Sequence, residues 1–249
     1  MKYLTIIPEY KGRYITLWFN RPDKRNALNQ QIIDEMHYFI SHQLPKEKVD
    51  FLVIRGKGKT FCSGADLNEF VSDHRFLFAQ KLDDLFYELN NIQMPVISIV
   101  HGKVFGGALG LLATSDIVLA DEGSQFCFSE VKLGLIPAII SPYLEKKLNY
   151  SWLKYLIISA EVFNTDTALK IGMVHKIISF SEETAIDKFI NDLLNNNTMA
   201  IFEAKGLLER IKVNNNLDIK RDLSLQKLID MLNDIEVLKR IKRFLLKQD

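Results

Sequence analysis

The chain has 249 residues, 47% of them hydrophobic, enough to bury a sizeable core as one large domain or two small ones. Its 32 basic and 31 acidic residues leave a formal charge of +1, which excludes the global field of a dedicated nucleic-acid binder. Two cysteines without C-x-x-C spacing exclude a disulfide framework, and no apolar run approaches the roughly 20 residues of a membrane span.

Residues 1–10 carry Pro8 and Glu9 and lack the apolar stretch and small-residue cleavage site of a secretory signal, so a cytoplasmic location with reduced thiols is expected. Arg13 to Phe19 is rich in β-branched and aromatic residues with little alternation, the pattern of a strand covered on both faces. Asn29 or Gln30 then opens a helix in which Ile32, Ile33, Met36, Phe39 and Ile40 recur along one face. Phe51 to Arg55 and Pro95 to Val100 read as further strands, separated by a helical segment from about Phe76 to Leu89.

Past Val100, the segment Gly106-Gly107-Ala108-Leu109-Gly110 followed by Leu111-Leu112-Ala113 predicts a tight glycine turn and a helix start. Peptide N–H groups at such a start are unpaired and sit at the positive end of the helix dipole, so they can hold a developing oxyanion. Glycines at a strand–helix junction equally serve close packing, and the turn alone does not decide between the two. Ser129-Glu130 and the run to Pro137 follow, with Glu130 the carboxylate suited to acid–base work.

After Pro142 the pattern changes to helices, at about Tyr143 to Leu148, Ser151 to Ser159, Thr165 to Ile171, 181–194 and Thr198 to Ile211. A last helix is expected from near Leu217, with Leu217, Leu228, Ile229, Leu232, Ile235, Leu238, Ile241 and Leu245 along one stripe. The expected division is a core with its associated helices over 1–195 and a helical region over 196–249.

Three segments in one order, Asn20 to Leu28, Thr60 to Leu67 and Gly106 to Pro137, resemble the enoyl-CoA hydratase/isomerase (crotonase) superfamily across about residues 10 to 180. In motif they are most similar to bacterial methylglutaconyl-CoA hydratase-like proteins. The resemblance implies an α/β fold with a repeated β-β-α core and a C-terminal helical trimerisation region, assembled as a homotrimer or dimer of trimers. It implies an acyl-CoA substrate and no separate cofactor, coenzyme A being part of the substrate. It also assigns oxyanion donors to the N–H groups of Ala65 and Gly107 and acid–base chemistry to Glu130. Substrate contacts fall on Lys24, Ala27, Leu28, Ser63, Ala65, Leu67, Gly106, Gly110 and Pro137.

The sequence departs from the two-carboxylate hydratases at Gly110, where they carry a glutamate. The leading expectation is hydration of a branched or carboxylated enoyl-CoA such as 3-methylglutaconyl-CoA, with Gly110 leaving room for a bulky acyl group. Shift of the double bond between the 3- and 2-enoyl positions and decarboxylation of a glutaconyl-type thioester are the alternatives. A non-catalytic or RNA-binding role is a different class, disfavoured by the balanced charge and the retained Glu130. His101 is expected as a core histidine with a backbone partner, Asp66 as a helix cap and Cys127 as packing. His37, His42, His74 and His175 lack metal-ligand spacing, and neither metal nor membrane is expected.

Overall fold

The continuous apolar runs become parallel strands buried on both faces, as the absence of alternation predicts. In the computed structural model, which describes residues 2–180 and 183–246, β1 (Ile6–Tyr10) pairs antiparallel with β2 (Tyr14–Phe19). The strand β2 then runs parallel to β3 (Phe51–Gly56), with Ile15 opposite Leu52 and Leu17 opposite Ile54. Between them, Asn29 caps α1 (Gln30–Tyr38) by accepting from the Ile32 N–H at 3.1 Å, and Ile32, Ile33 and Met36 turn into the core. After β3 come a short α2 (Leu67–Phe70), α3 (Arg75–Asn91) and the fully buried β4 (Val96–Val100).

The chain continues through β5 (Lys103–Phe105), α4 (Ala108–Ala113), β6 (Ile117–Ala120) and β7 (Gln125–Cys127). Next are α5 (Ser141–Lys147), α6 (Tyr150–Ser159), β8 (Phe163–Asn164), α7 (Thr165–Lys170) and β9 (Lys176–Ile177). The large sheet has the order β1-β2-β3-β4-β6-β9, and a second, smaller sheet has the order β5-β7-β8. Both are mixed, because β1 and β8 join their neighbours antiparallel. The expected α/β class is therefore present, as two mixed sheets packed with helices. The strands β5, β7, β8 and β9 are two or three residues long, too short for a periodicity to announce them.

The helices α8 (Glu183–Leu194), α9 (Thr198–Val213), α10 (Leu217–Leu232) and α11 (Ile235–Leu245) complete the chain. The first two positions expected for α8, 181 and 182, lie outside the described residues. Two compact units result, 1–192 and 193–249. The single long helix expected from Leu217 is broken. Asp234 accepts from the Glu236 N–H at 2.7 Å, and this local side-chain bond starts α11 afresh where a continuous helix would have run through.

One buried charge ties α1 to the start of the large sheet. The Glu35 carboxylate is 1% exposed and accepts from the N–H groups of Leu4, Thr5 and Ile6 at 2.9–3.0 Å, from the Thr5 hydroxyl at 2.8 Å and from Gln31. Burial pushes its pKa up, but the Thr5 hydroxyl and the three N–H donors outweigh burial and hold it below the ordinary 4.5. A carboxylate bound more tightly when ionised contributes stability above its unfolded pKa and loses it as pH falls through the lower folded value. Glu35→Gln should cost roughly 2 kcal/mol at neutral pH, where one oxygen is replaced by an amide facing N–H donors. In urea unfolding the gap to wild type should be widest at neutral pH and shrink as pH falls below about 4.5; a gap independent of pH would show that Glu35 is not held as a carboxylate.

Candidate active site

The site begins with the loop from Thr60 to Asp66, which follows β3 and is clamped on two sides. Leu28 donates its N–H to the Gly64 carbonyl at 2.8 Å and accepts from the Asp66 N–H at 2.8 Å, a parallel bridge centred on Ala65. Cys62 bridges to Val104 on the other side. Gly64 has φ +94°, and a β-carbon there would stand 2.6 Å from the Phe105 carbonyl oxygen, so only glycine brings the loop against the β5 turn. Asp66 caps α2 through the Asn68 N–H and meets the Arg21 guanidinium at 3.2 Å. Burial pushes the Asp66 pKa up, and the bonds from Asn68 and Arg21 more than reverse this.

Opposite stands the Gly106-Gly107 turn that starts α4, held by the Gly106 N–H on the Cys127 carbonyl at 2.9 Å. A β-carbon on Gly107 would lie 3.6 Å from the Ala65 nitrogen, and one on Gly64 would lie 3.3 Å from the Gly107 nitrogen. The two segments thus bring the N–H groups of Ala65 and Gly107 side by side. Neither has an acceptor among the described residues.

Glu130 opens a 3₁₀ turn, Glu130–Leu133. Its Oε2 is buried and has no hydrogen-bond partner among the described residues, and burial pushes its pKa above the ordinary 4.5 despite a bond from its own N–H. Between Glu130 and the paired N–H groups lies a cavity of about 230 Å³. Of the residues expected at the site, Ser63, Ala65, Leu67, Gly106, Gly107, Glu130 and Pro137 line it. Phe70, Leu82, Ser129, Leu135, Ile136, Ile139 and Ile140 also line it and were not anticipated, although Ser129 sits next to Glu130 in the motif.

Four residues expected at the site do not line this cavity. Ala27 and Leu28 are buried, Leu28 completely and within the core; Leu28 holds the loop through its backbone, and neither lines the cavity. Lys24 is exposed in the turn before them, outside the lining. Gly110 does not line the cavity either, and leaves no vacancy. A β-carbon at 110 would collide with Ile140 Cγ2 and stand 2.8 Å from the Phe86 ring, so the missing side chain is already replaced by α3 and the segment before α5.

His101 Nε2 donates to the Gly58 carbonyl at 2.8 Å, the expected backbone partner, but the residue is half-buried and not part of the core. Cys127 is buried, its thiol directed at the Ala160 carbonyl at 3.3 Å, and burial pushes its pKa up, consistent with packing.

Fold and cavity define the class: an α/β protein whose distinctive groups are two acceptor-free N–H groups and one buried carboxylate. Residues 11–249 match the enoyl-CoA hydratase/isomerase family, and the chain belongs to that family. It is 30% identical over 217 residues to the short-chain-enoyl-CoA hydratase of Clostridium acetobutylicum, covering 84% of this chain and 83% of that one. It is also 30% identical over 181 residues to the enoyl-CoA hydratase ACTT6 of Alternaria alternata, covering 73% of this chain; the match spans only 60% of the fungal protein's length. The crystal structure of an enoyl-CoA hydratase from Shewanella pealeana superposes with a TM-score of 0.90 at 30% identity, over 99% of this chain and 95% of that one.

Gly110→Ala should cost about 1–3 kcal/mol through overpacking against Phe86 and Ile140. Adding Ile140→Ala should restore part of that loss. A double-mutant cycle in urea checks the coupling, and strictly additive costs would show that the two positions do not touch.

Proposed function

We propose that the chain is an enoyl-CoA hydratase-type enzyme that stabilises a thioester enolate on the N–H groups of Ala65 and Gly107 and moves protons with Glu130. The observation that carries this is the juxtaposition of two acceptor-free N–H groups with the one titratable side chain that lines the cavity among the described residues. As a thioester becomes an enolate, negative charge collects on its carbonyl oxygen. Preorganised N–H donors offset that charge at the moment it forms, at typically about 3 kcal/mol per donor. A carboxylate whose pKa is raised by burial is a better proton acceptor at neutral pH than a solvated one.

The lining favours an uncharged aliphatic acyl group over a carboxylated one such as 3-methylglutaconyl. Among the described residues no Lys, Arg or His lines the cavity to pair with a second carboxylate, which would be buried near Glu130. Phe70, Leu82, Ile136 and Ile139 instead offer apolar contact. The same consideration weighs against decarboxylation of a glutaconyl-type thioester. Movement of a double bond needs only one base, so the single carboxylate supports 3-enoyl to 2-enoyl isomerisation as the second reading. Ser63, whose N–H is bound to the Arg25 carbonyl at 3.1 Å, connects the loop to the exposed Lys24-Arg25 turn, suited to the phosphates of coenzyme A. The reading calls for no metal and no cofactor beyond the coenzyme A carried by the substrate.

Self-association as a homotrimer or dimer of trimers is part of the same proposal, through the helical region after 195. The helices α9, α10 and α11 bury none of their described residues, and Leu217, Leu228, Ile235 and Leu245 are exposed, an apolar surface suited to a protein interface.

Glu130→Gln should lower turnover of crotonyl-CoA by roughly 100-fold or more while preserving shape. Because burial raises the folded pKa of Glu130, its contribution to stability is present below the unfolded value and lost as pH rises through the folded one. The Gln variant should therefore melt above wild type at neutral pH and match it in acid below the ordinary carboxylate range. Full activity in this variant would remove Glu130 from the mechanism.

A further inference from the structure

We infer that Ser129 holds the attacking water for Glu130, the task that a second carboxylate at position 110 cannot perform here; the inference rests on the hydratase reading above. The space over Gly110 is closed by Phe86 and Ile140, so the partner for a water must come from elsewhere in the lining. Apart from Glu130, only Ser63 and Ser129 among the described residues bring a polar side chain to the cavity.

Ser129 is the one that converges with the carboxylate. Its Oγ and Glu130 Oε1 each stand 3.4 Å from the point where a β-carbon of Gly106 would be, so both oxygens border the same opening above the glycine turn. The hydroxyl is also uncommitted. Ser129 precedes the 3₁₀ turn, where a serine with extended backbone would cap the following N–H groups, but its φ of −85° and ψ of −6° are helical and no such cap forms. No described residue takes the hydroxyl as donor or acceptor.

In the step this arrangement serves, a water lone pair forms the O–Cβ bond while one water proton passes to the Glu130 carboxylate. The C=C pair shifts through Cα to the thioester oxygen, on the N–H groups of Ala65 and Gly107. The enolate then returns its pair to Cα and takes the proton from Glu130, so one water is added and the carboxylate is regenerated. Ser129 accepts a hydrogen bond from the second water proton and transfers none. Removal of a Cα proton from a saturated thioester uses the same base and the same donors but no attacking water, and that difference isolates Ser129.

The experiment follows two reactions in wild type, Ser129→Ala, Ser129→Thr and Glu130→Gln: hydration of crotonyl-CoA, and exchange of the Cα protons of butyryl-CoA in deuterated water. Ser129→Ala should lower kcat for hydration by roughly tenfold or more, the scale of one lost hydrogen bond in the transition state, with KM little changed and exchange retained. Ser129→Thr, which keeps the hydroxyl, should recover most of the hydration, and Glu130→Gln should lose both reactions. Undiminished hydration in Ser129→Ala overturns the inference. So does an equal loss of hydration and exchange in a variant with native circular dichroism, which would place Ser129 behind Glu130 and not behind the water. Wild type that exchanges but does not hydrate overturns the role of Ser129 while leaving Glu130 as base, whereas wild type that does neither overturns both.

Discussion

Two peptide N–H groups stay without acceptors only if the segments that carry them are bonded everywhere else, and this constraint organises the site. Unpaired buried donors cost stability, so a free loop would rotate to satisfy them. Here the Ala65 loop is fixed by both backbone bonds to Leu28 and by the Ser63 N–H on Arg25, while the opposing turn is fixed by the Gly106 N–H on Cys127. The turn that precedes Leu28 is itself supported by Asn26, which is fully buried and donates to the carbonyls of Lys57 and Thr60. Arg21 adds a bond to the Ala27 carbonyl at 2.7 Å and reaches Asp66. Residues that never meet the cavity thereby keep its donors available.

Gly110 illustrates how a missing side chain is not a missing volume. Protein interiors are close-packed, and the space a side chain gives up is taken by its neighbours unless something holds it open. Phe86 from α3 and Ile140 ahead of α5 occupy it here, and Ile140 also forms part of the cavity wall. The small residue draws α4, α3 and the 129–140 segment together. Position 110 shapes the cavity through packing, one layer behind its lining.

Glu130 and Glu35 show the same side chain driven in opposite directions. Both are removed from water, which disfavours the charge in each case. Glu35 is compensated by a ring of N–H and hydroxyl donors and stays ionised, which suits a structural tie. Glu130 lacks such compensation at Oε2, and burial leaves its pKa raised. The opposite shifts of the two carboxylates thus follow from the donors that surround them.

The strand–helix character of the first 180 residues and the helical end were legible in the sequence because both rest on local patterns: unbroken apolar runs such as Val96–Val100, and the i, i+3, i+4 spacing of Ile32, Ile33 and Met36. The glycine turn and Glu130 were legible for a related reason, since residue types with one special capacity, positive φ or a titratable group, are visible singly. Short strands such as β5, β7 and β8 were not, because two or three residues carry no period and exist only through their partners. Nor could the sequence assign Phe70 and Leu82 to the cavity, or deny Leu28 and Gly110 a place in it. Which face a residue presents, and what fills the space beside it, depends on chain segments tens of residues away, such as Phe86 and Ile140 around Gly110. That choice is made by close packing in three dimensions, which no local pattern encodes.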